Sequence, residues 1–176
     1  MRIVSGTHKS RPLHLPSNLP VRPTTDFAKE SLFNIVNNKF DFNDISVLDL
    51  FSGTGSISYE FASRGAKDIT SVEIEQRCCK FINSTAVSFG FSNIRTIKAD
   101  VFAFLGFCKI QYDIIFADPP YNMKNITELP DLVFKNNLLK SEGLFILEHS
   151  RYLNFTAHPA FSEHRNYGKV NFSFFR

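Results

Sequence analysis

One stretch decides the fold of this chain: Val47-Leu48-Asp49-Leu50-Phe51-Ser52-Gly53-Thr54-Gly55-Ser56. Its apolar first half is typical of a buried strand, and its two glycines allow a tight turn in which the backbone can approach a ligand closely. A strand, a glycine turn and a helix in this order form a nucleotide-binding unit at the carboxyl ends of the strands of an open α/β sheet. The G-x-G turn alone leaves the ligand open, because dinucleotide-dependent dehydrogenases also have it.

Short apolar runs alternate with helical stretches after this unit, which is typical of a parallel sheet covered on both faces. Two further apolar runs flank Gly168-Lys169 and indicate a closing hairpin. The sequence therefore predicts a Rossmann-like α/β fold: a mostly parallel seven-stranded sheet with a C-terminal antiparallel hairpin and helices on both faces. Strands are predicted over 47–51, 69–73, 94–98, 113–117, 144–148, 162–167 and 170–175, and helices over 27–38, 56–63, 75–89, 101–105 and 126–136.

The composition is that of one soluble globular domain, with 176 residues of which 43% are hydrophobic and 21% charged. No apolar run reaches the roughly 20 residues that span a bilayer, and the polar start of the chain does not resemble a signal peptide. We therefore expect a cytoplasmic protein that does not contact a membrane. The three cysteines, Cys78, Cys79 and Cys108, lack the spacing of a zinc site. We expect reduced, buried thiols and no metal.

The first 25 residues differ from the rest of the chain in charge and in proline content. They contain four prolines and no Asp or Glu, whereas Arg2, Lys9, Arg11 and Arg22 are basic. We expect two parts, a basic, proline-rich N-terminal arm over 1–25 and a catalytic domain over 26–176. Such an arm suits a phosphate backbone, although a solvated basic tail is the alternative, and the net charge of +3 does not decide between them.

Three acids follow successive predicted strands, and they indicate the chemistry of the cofactor. Asp49 precedes the glycine turn, where its charge opposes a pyrophosphate and attracts the sulfonium and amino groups of S-adenosylmethionine. Glu73 can accept the hydroxyls of a ribose, and Asp100 can accept the amino group of an adenine. Each acid alone is more often a helix cap, but three at successive strand ends favour a cofactor site. The predicted S-adenosylmethionine-binding residues are Asp49, Phe51, Ser52, Gly53, Gly55, Glu73, Ile74, Asp100 and Val101.

The most specific motif is Asp118-Pro119-Pro120-Tyr121, directly after a predicted strand. An exocyclic amine of a nucleobase is a weak nucleophile, because its lone pair is delocalised into the ring. Hydrogen bonds from the amine to the Asp118 carboxylate and the Pro119 carbonyl would free that pair. Two prolines stiffen the turn, and Tyr121 offers a face on which an extruded base can stack. These four residues are the predicted catalytic residues; the alternative is a rigid loop with a surface tyrosine.

The motifs together resemble those of the bacterial small-subunit ribosomal RNA guanine-N2 methyltransferases of the RsmD type. Arg2-Ile3-Val4-Ser5-Gly6 is similar to the start of that family, and Asp49 to Gly55 and Asp118 to Tyr121 are similar to its cofactor and catalytic motifs. The most selective likeness is Arg22-Pro23-Thr24-Thr25-Asp26 followed by Glu30-Ser31-Leu32-Phe33-Asn34, which resembles the family signature R-P-T-T-D…E-[ST]-L-F-N. The resemblance extends nearly from one end of the chain to the other.

The resemblance implies a class I S-adenosylmethionine-dependent methyltransferase that modifies one guanine of 16S ribosomal RNA, guanine 966, at N2. It implies that the substrate is the small ribosomal subunit or an assembly intermediate, and that Lys9, Arg11, Arg22 and Thr24 contact RNA. We expect the enzyme to be a monomer. The D-P-P-Y motif does not choose the base, so an adenine-N6 methyltransferase acting on DNA or RNA is an alternative. A dinucleotide-dependent oxidoreductase and a non-catalytic RNA-binding module are more distant ones.

Overall fold

The computed structural model of the protein describes residues 1–15 and 26–176. These residues form seven strands and five α-helices, which alternate along the chain as far as the fifth strand. The strands are β1 (Ser46–Leu50), β2 (Asp68–Glu73), β3 (Ile94–Lys98), β4 (Tyr112–Ala117), β5 (Leu139–His149), β6 (Phe161–Tyr167) and β7 (Val170–Phe175). The helices are α1 (Asp26–Asn37), α2 (Ser56–Ser63), α3 (Gln76–Phe89), α4 (Val101–Phe107) and α5 (Leu129–Lys135).

All seven strands form one sheet in the order β3-β2-β1-β4-β5-β7-β6. The first five strands are parallel, whereas β7 pairs antiparallel with both β5 and β6. The chain reverses its direction of travel across the sheet between β1 and β4, and ligands of open α/β sheets bind at such a point. The predicted fold class, including the C-terminal hairpin, is confirmed.

Helices cover both faces of the sheet, because alternate residues of each parallel strand are apolar on opposite faces. On one face, Val47 and Ile114 share a core with residues of α1 and α2, such as Phe33 and Phe61. On the other face, Leu48, Ile115 and Leu147 pack against α4 and α5. This burial leaves the carboxyl ends of the strands as the edge at which polar side chains gather.

Strand β5 begins five residues earlier than the apolar run 144–148 predicts. The first part of β5 pairs Leu139 with Tyr112, and the register shifts before Leu144 pairs with Ile114. Glu142 has a φ of 63°, a left-handed conformation that non-glycine residues seldom adopt. The shift of register in β5 coincides with this left-handed residue, which the pattern of apolar residues does not predict.

The first thirteen residues, called here the N-terminal hairpin, fold back on themselves and pack against the domain. Arg2 and Pro12 form an antiparallel bridge, and Ile3 and Leu13 are buried. Gly6 approaches α2 so closely that an added Cβ would lie 1.9 Å from the Ser63 carbonyl oxygen. The predicted division into an arm over 1–25 and a domain over 26–176 stays a prediction, since residues 16–25 lie outside the described residues.

No helix within residues 1–15 and 26–176 is long and apolar enough to cross a membrane. Cys78, Cys79 and Cys108 are buried free thiols. In the same residues, no group of three or more His, Cys, Asp or Glu is arranged to hold a metal ion.

Candidate functional site

Four acids lie at the carboxyl ends of adjacent strands, on one face of the sheet. The register of the strands explains this arrangement. Asp49 pairs with Ser71 on one side and with Phe116 on the other, so Glu73 and Asp118 lie two residues beyond those partners and on the same face. Phe116 pairs in turn with Ile146, which places Glu148 beside Asp118. The parallel order of the strands thus gathers the ends of β2, β1, β4 and β5 at one edge.

The glycine turn after β1 has three left-handed residues, Phe51 (φ 58°), Gly53 (φ 53°) and Gly55 (φ 79°). Ser52 stabilises the turn, because its hydroxyl donates to the Asp49 carbonyl over 2.6 Å and its carbonyl accepts from the Gly55 amide over 2.7 Å. A Cβ on Gly55 would lie 2.9 Å from the ring of Tyr59, so this position requires glycine for space as well as for φ. Gly55 is also the N-cap of α2, which begins at the predicted Ser56.

Glu73 connects the end of β2 to the glycine turn. One carboxylate oxygen accepts from the Gly53 amide over 2.7 Å, and the other accepts from the Glu75 amide over 2.8 Å. The side chain is nearly buried, with 8% of its surface exposed. Since a carboxylate can accept about four hydrogen bonds, Glu73 can hold the turn and still accept from a ribose.

Asp49 lies beneath the turn rather than on its surface. It is buried and accepts a short hydrogen bond from Ser58 of α2, which also contacts Ser71 of β2. Burial raises the pKa of Asp49 to about 7, so near neutral pH this carboxyl carries only part of a charge. The attraction that the sequence predicts between Asp49 and a cationic cofactor is reduced accordingly, and Ser58 acts as the hydrogen-bond partner of this acid.

The ends of β2 and β3 supply an apolar wall with an acid beside it. Ile74 is 62% exposed immediately after Glu73, and Phe102 of α4 contacts Phe51 edge-on with ring centroids 6.5 Å apart. Asp100 is exposed and caps α4 through the Ala103 amide over 2.9 Å, with Val101 buried behind it. Apolar surface between two acids fits an adenosine group, with the ring against the wall and the hydroxyls and amino group at the carboxylates.

The D-P-P-Y loop begins where β4 ends. The Asp118 amide donates to the Leu50 carbonyl of β1 over 3.4 Å, so the loop starts beside the glycine turn. Asp118 is half-buried, and burial together with the nearby charges of Glu148 and Asp49 raises its pKa well above the usual range. Pro119 is buried, Pro120 is exposed, and the Pro120 carbonyl accepts from the Met123 amide over 2.9 Å to close the turn.

Tyr121 is 44% exposed, and its hydroxyl donates to Glu148 of β5 over 3.0 Å. Neither Glu148 nor Phe102 was among the residues that the sequence predicts for this site. For Glu148 a signal was present, since it ends the apolar run Leu144-Phe145-Ile146-Leu147 as Glu73 ends its own strand. Phe102 gives no such signal, because an aromatic residue in the first turn of a helix is ordinary core.

Two of the predicted RNA-binding residues are described and two are not. Lys9 is exposed on the N-terminal hairpin. Arg11 is also exposed, but its guanidinium stacks 3.9 Å above the Phe89 ring and donates to the Ser88 carbonyl. Arg22 and Thr24 lie outside the described residues.

Known proteins resemble the chain over most of its length. A family model described as conserved hypothetical protein 95 matches residues 1–176. Ribosomal RNA small subunit methyltransferase D of Buchnera aphidicola subsp. Baizongia pistaciae is 32% identical over 154 residues, which are 88% of this chain and 78% of that protein. The chain belongs to the ribosomal RNA small subunit methyltransferase D family. The resemblance inferred from its motifs is thereby confirmed.

Two further comparisons with methyltransferases agree. The protein of that name from Escherichia coli K12 is 29% identical over 148 residues, 84% of this chain and 74% of that protein. The solved structure of yhhF from Escherichia coli, described as a candidate methyltransferase, is 27% identical with a TM-score of 0.87, covering 99% of this chain and 96% of that one. The Rossmann-like class I methyltransferase fold predicted from the sequence is therefore the fold of this family member.

Proposed function

We propose that this protein transfers a methyl group from S-adenosylmethionine to the exocyclic N2 amine of a guanine in 16S ribosomal RNA, within the small subunit or an assembly intermediate. One observation carries the proposal: the D-P-P-Y loop begins beside the glycine turn, through the hydrogen bond from the Asp118 amide to Leu50. The name shared by the relatives, ribosomal RNA small subunit methyltransferase D, supports RNA of the small subunit as the substrate.

The cofactor would lie along the ends of β1, β2 and β3. The Gly53–Gly55 turn lets the backbone approach it, Glu73 accepts from the ribose, and Asp100 with Val101 receives the adenine, while Ile74 and Phe102 cover the ring. S-adenosylmethionine, when bound, supplies an electrophilic methyl group on a sulfonium. No residue of this set requires a metal.

Asp118 and Pro119 prepare the amine of the base. In its ionised form the Asp118 carboxylate accepts one N–H group of the amine and the Pro119 carbonyl accepts the other, which localises the lone pair on nitrogen and directs it at the methyl carbon. Asp118 or a water molecule then takes the proton that the amine releases. Because burial, together with the neighbouring carboxylates, raises the pKa of Asp118, this acid is well suited to hold that proton.

The RNA would approach from the edge that presents Tyr121. The exposed face of its ring can stack on an extruded base, and Lys9, Arg11, Arg22 and Thr24 would contact the RNA backbone. A ribosomal substrate would place the protein in the cytoplasm, and we expect it to act as a monomer.

The test uses small subunits from cells that lack the gene, incubated with tritiated S-adenosylmethionine. Wild-type protein is expected to incorporate the label, and Asp118→Asn to do so at least about a hundredfold more slowly while still binding S-adenosylhomocysteine. Equal incorporation by the variant would contradict the proposed role of Asp118. Mass spectrometry of the digested RNA identifies the base: N2-methylguanosine supports the proposal, and N6-methyladenosine would replace it with the adenine alternative.

A further inference from the structure

Tyr121 and Glu148 connect the D-P-P-Y loop to the neighbouring strand. The Tyr121 hydroxyl donates to Oε1 of Glu148 over 3.0 Å, across 27 residues of sequence. The parallel register of β4 and β5 pairs Ala117 with Leu147, so Glu148 lies at the next position beside Asp118. The hydrogen bond thereby joins the loop to the sheet at a position directly beside Asp118, the first residue of the loop.

The packing of β5 does not explain why an acid occupies this position. On the same face of the strand, Leu144 and Ile146 are fully buried apolar residues, and Phe172 of β7 pairs with Glu148. Glu148 itself is only 4% exposed. Burying a carboxylate is costly, and its position beside Asp118 adds repulsion between like charges. A buried acid at an otherwise apolar position therefore indicates that its hydrogen bonds have a role in the site.

We propose that Glu148 is a positioning residue, which holds the ring of Tyr121 in one orientation next to Asp118 by accepting its hydroxyl. The inference rests on the proposed function, since the held ring is the surface on which the target base would stack. Glu148 does not contact the base or the cofactor in this account.

Tyr121 needs such a partner because of where it lies. It follows two prolines on a turn, and 44% of its surface is exposed. A half-exposed ring can occupy several rotamers, and the hydrogen bond to Glu148 selects one of them. A side-chain hydrogen bond is strong enough to favour that rotamer by up to about tenfold.

Three substitutions distinguish the effect of the Tyr121–Glu148 hydrogen bond from the effects of the Glu148 charge and of the Tyr121 ring. Tyr121→Phe keeps the ring and removes the donor, Glu148→Met removes the acceptor, and Glu148→Gln keeps an acceptor oxygen while losing the charge. We expect Tyr121→Phe and Glu148→Met each to lower kcat about tenfold, with little change in the affinity for S-adenosylhomocysteine. Glu148→Gln should stay within about threefold of wild type at pH 8. The double variant should be no slower than the slower single variant, because both remove one interaction.

Tyr112→Phe is the matched control. Its hydroxyl also donates a partly buried hydrogen bond, to Thr70 over 3.3 Å, but at the amino-terminal end of β4. It should leave kcat unchanged. Melting temperatures of all variants distinguish unfolding of the protein from loss of the Tyr121 orientation.

A second measurement does not depend on turnover: NMR of protein with ¹³C-labelled tyrosine rings, with Tyr121→Phe used to assign the Tyr121 signals. Glu148→Met is expected to shift and average these signals, and Glu148→Gln to leave them near their wild-type positions. Unchanged Tyr121 signals in Glu148→Met would overturn the inference, as would additive losses of kcat in the double variant. Absence of methyl transfer by the wild-type protein would instead contradict the proposed function, while the NMR result still decides the role of Glu148.

Discussion

Asp49 shows, at the scale of one residue, how burial changes an acid that the sequence presents as a charged ligand. The carboxyl lies under α2 and bonds to Ser58, and its pKa rises to about 7 because desolvation outweighs that hydrogen bond. Sequence alone supplies the residue type and its place at a strand end. It does not supply the desolvation, which depends on helix α2 covering the strand.

This pKa predicts a pH dependence of stability for the ligand-free protein. The folded-state pKa exceeds the ordinary value of 3.8, so between about pH 4 and pH 7 the folded state holds a proton that the unfolded state has lost. The free energy of unfolding should therefore fall as pH rises through this window, by about 1.4 kcal/mol for each pKa unit of the shift. Urea unfolding at several pH values measures it. Asp49→Asn should lose this part of the slope, and an unchanged slope in the variant would assign it to other groups.

At the scale of elements, a buried ion pair joins α1 and α2. Lys29 of α1 and Glu60 of α2 lie 3.6 Å apart with fully buried side chains, and the Lys29 ammonium also donates to the Arg2 carbonyl and to Ser56. Glu60 accepts from the amides of Val4 and Ser5. One pair therefore connects the N-terminal hairpin to the helix that begins at the glycine turn.

Lys29→Met should lower the free energy of unfolding by about 3–5 kcal/mol, because it leaves the buried Glu60 charge with less compensation. Denaturation in urea measures this change. Lys39→Met is the control: Lys39 pairs with Glu163 at the surface, and its loss should change stability by less than about 1 kcal/mol. Equal changes in the free energy of unfolding for the two substitutions would show that the buried pair stabilises the protein no more than the surface pair.

Gly6→Ala should detach the N-terminal hairpin from α2. Its Cβ would overlap the Ser63 carbonyl, and its φ of 83° already disfavours a side chain. We expect faster amide exchange over residues 1–13, measured by mass spectrometry. Gly168→Ala has a similar φ of 67° with open space around the position, so it reports backbone strain without the clash. If both variants exchange alike over 1–13, contact with Ser63 does not hold the hairpin.

Some elements could be predicted from the sequence and others could not. Helix α2 begins at Ser56 and β3 spans Ile94–Lys98 as predicted, because a glycine cap and a bounded apolar run are local signals. The early start of β5 includes Glu142 in a left-handed conformation, between the two segments of β5 that pair with β4 in different registers, and no local sequence signal predicts it. Lys29 gave no signal at all, since its partners are distant in sequence.

The strand order of the whole sheet determines which acids lie side by side. Asp118 and Glu148 are 30 residues apart, and only the strand order β1-β4-β5 makes them neighbours. Sequence predicted the acids at the ends of the first strands from their spacing, yet it could not place the fifth strand next to the fourth. The proposed site is therefore a property of topology as much as of motifs.

Cofactor class can be tested on the whole molecule by thermal unfolding. A ligand that binds only the folded state adds about 2.7 kcal/mol at a concentration of 100 Kd, which for a chain of this size raises Tm by about 5–10 °C. S-adenosylmethionine and S-adenosylhomocysteine should both produce such a shift, and NADH should not. A shift with NADH alone would favour the oxidoreductase alternative.

Strand β7 lies between β5 and β6, although it follows both along the chain. During synthesis β6 emerges first, but β7, with which it pairs in the sheet, has not yet been made. The sheet can thus form as far as β5 while the chain is still being translated. Strand β6 can join it only after residues 170–175 have left the exit tunnel. Until then the hydrogen-bonding edge of β5 stays open, so a nascent chain stalled before Val170 should be a target for chaperones that bind exposed strands.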